Sequence, residues 1–473
     1  MVEVEKKMIN LSKQDSQNLK HIFRASDIHG KYGEDITPQV VYRIGQAFGT
    51  FLTEETELRN NAVFVGYDYY KISQILVDTL IAGILSTGIN VEFSGVPVLH
   101  GIAMYSALQR KDYASAFITA SPHSADWIEV KFYYGNGVGF SPNNYREICN
   151  IFLKRTFNKP HYSHMGQSQN VCLENEYKNY LISKLILEKP IKVVIACDHD
   201  SSCKYILKIL KDVGLNTELL FNGLNKSSEP DHHSLHLLAQ KVRLEKADFG
   251  VNFDGNAEQA IIVDNVGRPI SNDIIGLIIA DHYLNKKKTP KKRIFASVEC
   301  SLALEMALEP KKGIINRIQP GQTHLVENAI EYPDTLLGIE RNLMVFPDLF
   351  PFHDGVPIPL KLAQVLTEDP RSLTNIVDSF PRIYRLQHIE SCPDSIKFNV
   401  IDELTRECRS RFDTLDSGDD IRIKFGIESW VLIRASKIKP EIIITVEADS
   451  QNEAERLMAD FTLQVKNLIK ISK

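Results

Sequence analysis

Four short stretches carry residues whose types and spacing could do chemistry. Residues 117–131, FITASPHSADWIEVK, start apolar and then break into Thr119, Ala120, Ser121, Pro122, His123 and Ser124. A serine hydroxyl attacks only when a base or a charge activates it, and His123 and Lys131 are at hand. The same residues would also make an ordinary turn. No GxSxG elbow surrounds the serine, which argues against an α/β-hydrolase. Residues 248–264, DFGVNFDGNAEQAIIVD, place oxygen side chains at Asp254, Asn256 and Glu258, with Gly255 allowing a sharp bend. Oxygens at alternate positions around a tight turn can converge on a hard cation, although the loop lacks the twelve-residue spacing of an EF-hand. A polar hairpin turn is the plain alternative.

The third stretch, LLGIERNLMVFPDLFPFHDGVPIPLKLAQVL (336–366), offers Glu340, Arg341 and Asn342 after a strand, and a helix is predicted beyond Asp354 and Gly355. Glu and Asn bind hydroxyl-rich ligands, but they are also common loop residues. The fourth, WVLIRASKIKPEIIITVEA (430–448), sets Arg434, Ser436, Lys437 and Lys439 between two strands. Guanidinium, hydroxyl and ammonium groups there could hold a phosphate, or they could form a solvated basic turn. His232, His233 and His236 have spacing open to a metal but no HExxH glutamate, and KKKTPKKR reads as a solvated linker.

Alternating elements would position these loops. NAVFVGYD, INVEFSG, AFITA, IKVVIACDHD, NTELLF, DFGVNFDG, IFASVEC and GIINRIQ read as strands, with helical stretches between them such as KISQILVDTLIAGILSTG and HSLHLLAQKVRLEKA. That rhythm predicts βαβ units, mainly parallel sheets, and three successive α/β units of similar grammar. The last hundred or so residues differ: IRIKFG, WVLIRAS and EIIITVEAD predict antiparallel strands, followed by a final helix, in a small α+β domain.

Composition sets bounds. At about 150 residues per domain, 473 residues make three or four domains. With 43% hydrophobic and 24% charged residues the chain can bury real cores, and a net charge of −5 does not favour nucleic acid or anionic membrane. The seven cysteines form no CxxC pair, so neither a disulfide framework nor a zinc knuckle is expected. No apolar run approaches a membrane span and the first residues have no signal-peptide core, so a cytoplasmic protein is expected.

Taken together, the loops resemble one family, the α-D-phosphohexomutases, which include phosphomannomutase and phosphoglucomutase. FRASDIHGKYGED looks like that family's FRxYDIRGxxG opening, ITASPHS like its serine loop, NFDGNAEQ like DGDxDR, GIERNLM like GEQSGH, and RASKIKP like RPSGTEP. The resemblance covers nearly the whole chain. It implies three related α/β domains (1–165, 166–272, 273–372) and a C-terminal α+β domain (373–473) around a central cleft. It also implies Mg2+-dependent interconversion of hexose 1-phosphate and 6-phosphate through phosphoserine, with hexose 1,6-bisphosphate as intermediate and activator. On this reading Ser121 is the nucleophile, with Lys131 and His123 beside it. Asp254, Asn256 and Glu258, together with the phosphorylated Ser121, hold the metal. Glu340, Arg341, Asn342, Arg434, Ser436, Lys437, Lys439 and His29 face the hexose phosphate.

The departures share a chemical bias. His29, Tyr67, Tyr70 and Gln259 stand where the family has arginines, DGDxDR has become DGNAEQ, GEQSGH has become GIERNL, and SGTEP has become SKIKP. Phosphoryl transfer rests on positioning and charge neutralisation, and one lost charge-assisted contact can cost about 2–4 kcal/mol of transition-state stabilisation. Arg341, Lys437 and Lys439 are candidate substitutes. The alternative is a catalytically impaired homologue that binds sugar phosphates or serves regulation. Whether the sugar is mannose, glucose or another is not legible.

Overall fold

In the computed structural model the described residues are 19–54, 62–121, 124–171, 173–185, 187–197, 200–220, 232–286, 290–416, 420–426, 428–436 and 439–472. His123 and Lys437 lie outside them. The chain divides into two compact units, one comprising residues up to 270 together with 343–370, the other 271–342 with 371–473.

The first unit is built on two sheets. One contains β1 (Ile28–Lys31), β2 (Val63–Tyr67), β3 (Val91–Phe93), β4 (Ala114–Ser121), β5 (Ser124–Tyr134) and β6 (Ser168–Asn170), in the order β1-β5-β4-β2-β3-β6. Its core gathers the apolar faces of α1 (Pro38–Glu54), α2 (Lys71–Leu85) and the sheet. β4 is buried along its whole length, which is why ASAFITAS is built only of small and apolar residues with no charged position. Beside β2 lies α3 (His100–Arg110), its first eight residues all buried. The other sheet holds β7 (Lys192–Cys197), β8 (Asn216–Leu219), β9 (Phe249–Phe253), β10 (Ala260–Asp264) and β11 (Pro269–Ile270), ordered β11-β10-β9-β7-β8.

The parallel expectation holds for β2 with β3 and β4, and for β7 with β8 and β9. It fails for β5, which runs antiparallel to both β1 and β4, and for β10, antiparallel to β9. Beyond Ser121 the chain returns along β4 as β5, SADWIEVKFYY, which carries Glu129 and Lys131 back beside it.

In the second unit, strands Arg293–Ser297, Ile314–Ile318 and Thr335–Ile339 pair in parallel. The five C-terminal strands form an antiparallel sheet, ordered Tyr384–Ser391, Glu441–Ala448, Ser429–Ala435, Asp420–Phe425, Asp413–Asp416. Two helices cover it, Lys397–Arg409 and the final Gln451–Ser472. Cys197 and Cys203 are bonded to each other, with Cα atoms 5.4 Å apart. This is one local bridge and not a framework, and their spacing gave no sign of it. Cys149, Cys300, Cys392 and Cys408 are buried. Among the described residues no helix is long and apolar enough to cross a membrane.

Candidate active site

Ser121 ends β4, fully buried, opposite Ser124. The ladder between β4 and β5 is regular from Ala114 to Ala120 and shifts register between Ala120 and Ser121. Such irregularities re-aim side chains and cluster beside active sites. In the regular part, Phe117 faces Lys131 and Thr119 faces Glu129. Directly opposed residues share a face of the sheet, so Thr119, Glu129 and Lys131 project together.

The backbone ahead of Ser121 is held by a buried carboxylate. Asp68, just past β2, accepts bonds from the Thr119 hydroxyl at 2.8 Å, the Ala120 N–H at 2.7 Å and the Tyr70 N–H at 3.0 Å. Burial raises the Asp68 pKa, and these donors partly oppose that rise. Tyr70, which replaces a family arginine, lies so close to Gly255 that a Cβ there would come 2.7 Å from the ring.

The connection 254–259 joins β9 to β10 and is buried at Asp254, Asn256 and Glu258. Asp254 Oδ1 accepts from the Gln259 N–H at 3.1 Å. Asn256 donates from Nδ2 to Thr119 Oγ1 at 3.1 Å and to Glu258 Oε2 at 3.2 Å, while its Oδ1 accepts from the Glu258 N–H at 3.1 Å. Ala257 adopts φ 57°, a left-handed conformation costly for a residue with a side chain. Glu258 receives the Lys131 ammonium at 3.1 Å and His353 Nε2 at 2.8 Å. Lys131 also reaches Glu129 at 3.2 Å.

Burial alone would push Lys131 down, but Glu258 and Glu129 outweigh it and hold its pKa well above the usual lysine value. Burial likewise pushes Glu258 up, yet Lys131, foremost, and the hydrogen bond with His353 hold it well below the carboxylate range. Both shifts have one geometric cause, an ammonium set between two buried carboxylates. Asp27, beside Glu129, is raised to about 6 by burial and by that neighbour.

A resident Mg2+ is implied by the resemblance, and the donors test it. The Asn256 oxygen is taken by a backbone N–H, the Glu258 oxygens are engaged by Lys131 and His353, and an ammonium already lies where a cation would neutralise the loop. Arranged this way, Asn256 and Glu258 offer no unengaged oxygen to a hard six-coordinate cation.

Two residues that the sequence did not single out complete the group. His100, at the start of α3, donates its backbone N–H to Asn256 O at 3.1 Å, and its ring stacks on His353 with centroids 4.8 Å apart. Burial holds His100 near a pKa of about 3, so it is neutral. His353 precedes Asp354, whose carboxylate accepts from the Tyr177 hydroxyl at 2.6 Å. Neither histidine belongs to a spacing motif, and His233 and His236 join no metal-binding group among the described residues.

His29 is buried on β1, edge-on to Trp127 with centroids 4.9 Å apart. In the second unit Glu340 accepts from the Gly321 N–H at 3.0 Å. Arg341 lines a cavity of about 510 Å³ with Asp273, Glu299, Arg385 and Glu447. Arg434 is ion-paired with Glu299. Ser436 accepts from the Lys439 N–H at 3.1 Å, and the Lys439 side chain is exposed. Asn342 follows in the same loop.

Models of phosphoglucomutase/phosphomannomutase α/β/α domains I, II and III match residues 20–159, 175–267 and 271–384. The chain belongs to the phosphoglucomutase/phosphomannomutase family. Its relatives in that family include a protein of Methanopyrus kandleri named "Probable phosphoglucosamine mutase", 26% identical over 455 residues, covering 94% of this chain and 98% of that one. A Thermococcus kodakarensis "Phosphoglucomutase/phosphomannomutase" is 26% identical over 449 residues, covering 92% and 96%. The crystal structure of a family protein from Burkholderia thailandensis superposes with a TM-score of 0.84 at 20% identity, covering 95% of this chain and 98% of that one. The family architecture, three α/β/α domains and a fourth sheet-containing domain, is thus present here.

Proposed function

We propose that this phosphohexomutase-family chain acts on a phosphorylated hexose or hexosamine, with Ser121 carrying the phosphoryl group between the two sugar positions. One observation carries the reading: Asn256 bonds Thr119, so the loop after β9 is fixed against the strand that ends in Ser121. In the first half-reaction a sugar hydroxyl oxygen would bond to phosphorus as the P–Oγ bond to Ser121 breaks, giving a sugar bisphosphate. In the second, Ser121 Oγ takes the other phosphoryl group and the sugar regains a hydroxyl. Hexose 1,6-bisphosphate would then prime an unphosphorylated Ser121. Lys131 would offset phosphoryl charge in a buried site, where such stabilisation is strongest. We route no step through Mg2+. Glu340, Arg341, Asn342, Arg434, Ser436, Lys437, Lys439 and His29 are the proposed sugar-phosphate contacts, and His123 a proposed neighbour of the serine. The names of the archaeal relatives point to glucosamine, glucose or mannose phosphates as the sugars to try first, and the cytoplasm is the proposed setting.

A second reading has its own support. The Lys131 charge is shared between two carboxylates and Arg434 is paired with Glu299, so fewer cations remain for phosphate. That favours a homologue that binds sugar phosphates without turning them over.

Phosphorus NMR of the purified full chain, supplied with glucosamine 6-phosphate, mannose 6-phosphate or glucose 1-phosphate and primed with hexose bisphosphate, separates the two. Turnover that disappears in Ser121→Ala, with a phosphoryl adduct at Ser121 by mass spectrometry, supports the mutase. Binding by calorimetry without turnover or adduct hands the protein to the second reading.

A further inference from the structure

His100, Glu258 and His353 come from three distant parts of the sequence, yet each offers a ligand atom within 4.8 Å of the others. All three are buried, with both histidine side chains about 1% exposed or less. Both ring nitrogens of His100, and Nδ1 of His353, have no hydrogen-bond partner among the described residues. Buried polar side-chain atoms are normally paired, so each exception asks for an explanation, an absent ion included. Here His353 Nε2 already meets one oxygen of the Glu258 carboxylate, whose other oxygen is held by Lys131, and His100 offers a nitrogen within 4.8 Å of both.

We propose that His100, His353 and Glu258 form a site for a divalent transition metal, Zn2+ foremost. Two imidazoles and a carboxylate are the donor set of such ions, whereas Mg2+ takes oxygen donors. Metal–ligand bonds of about 2.0–2.2 Å set donors roughly 3–3.5 Å apart. The ion would therefore replace the proton between His353 Nε2 and Glu258, now 2.8 Å apart, and draw one His100 nitrogen inward. Lys131, bonded to the other Glu258 oxygen, is an outer partner that orients the carboxylate. Three protein ligands leave a fourth position open to water or a phosphate oxygen. The site goes beyond the mutase reading and stands whether or not that reading holds.

The experiment uses the full chain, stripped with a chelator and then titrated with ZnCl2 or CoCl2 against a chromophoric competitor. One equivalent should bind, undisturbed by a large excess of Mg2+. Bound Co2+ should give visible d–d absorption without thiolate charge-transfer bands, and two sets of paramagnetically shifted imidazole N–H resonances. His100→Gln and His353→Gln should each weaken binding by at least the about 10–100-fold that losing an outer-shell partner costs. Absence of stoichiometric binding, affinity unchanged in both variants, equal competition by Mg2+, or thiolate bands would each overturn the site. Should the variants fail to fold by circular dichroism, the Co2+ spectrum of the unmodified chain decides: no shifted imidazole resonances refutes it.

Discussion

Lys131→Ala tests the electrostatic account of the site most directly. Lys131 is 13% exposed and lies between Glu129 and Glu258, which are 8% and 6% exposed. Removing one partner of a buried pair leaves an uncompensated charge and costs about 3–5 kcal/mol. Here two carboxylates lose their common cation, so the upper part of that range is expected at pH 7. Glu258→Gln should cost only about 1–2 kcal/mol, because Lys131 keeps Glu129 and the amide oxygen can still accept from His353. In the double variant most of the Lys131→Ala loss should return. The sign with pH follows. The Glu258 pKa is depressed in the fold, so its contribution is present above the unfolded carboxylate value and lost as pH falls through the folded one. The Lys131 pKa is raised, so its contribution is lost only at strongly alkaline pH. The gap between wild type and Lys131→Ala should thus be widest near neutrality and narrow in acid. Urea unfolding at constant m measures it. If the two single variants cost the same, and each less than about 1 kcal/mol, the pair is not a buried charge network.

Three further outcomes are expected. Asp68→Asn sets an amide NH2 against the Ala120 N–H and Thr119 hydroxyl, and should lower stability by about 2–3 kcal/mol in thermal melts and slow any turnover at Ser121. Asp112 is raised to about 7 by burial and by Glu92, so wild-type stability should decline as pH rises from 4 through 7. Allowing for screening at its solvent edge, Asp112→Asn should gain about 2 kcal/mol at pH 8 and nothing at pH 4, read as a difference in urea midpoints. Ala257→Gly should relieve the left-handed backbone, and its denaturation midpoint should rise by the equivalent of about 1 kcal/mol.

Much of the fold was legible because its periods are strong. VFVGY, KVVIAC and FGVNF are almost wholly apolar, Lys192 and Asn252 apart, as expected of strands buried on both faces. The antiparallel returns were harder: DWIEVKFYY mixes Asp126, Glu129 and Lys131 with apolar residues, and its direction is set by a tight hairpin that small polar residues only suggest. The serine and the 254–258 loop could be found, since chemistry-bearing residues followed strands. Their partners could not. Lys131 looks like a free cation in sequence, and only the sheet register and a residue 127 positions away reveal what neutralises it. His100 and His353 are each unremarkable in their local sequence. Their meaning depends on the helix and the loop that bring them to Glu258.

The shared cation on Glu129 and Glu258 also bears on how this loop can evolve. Asn256→Asp alone would add a third carboxylate to a group in which one Lys131 ammonium is already shared by two, and Gln259→Arg would add a cation to the same loop. Asn256→Asp alone therefore makes a buried cluster more negative, while the pair of changes keeps its net charge, so the two positions should be strongly coupled in a double-mutant cycle.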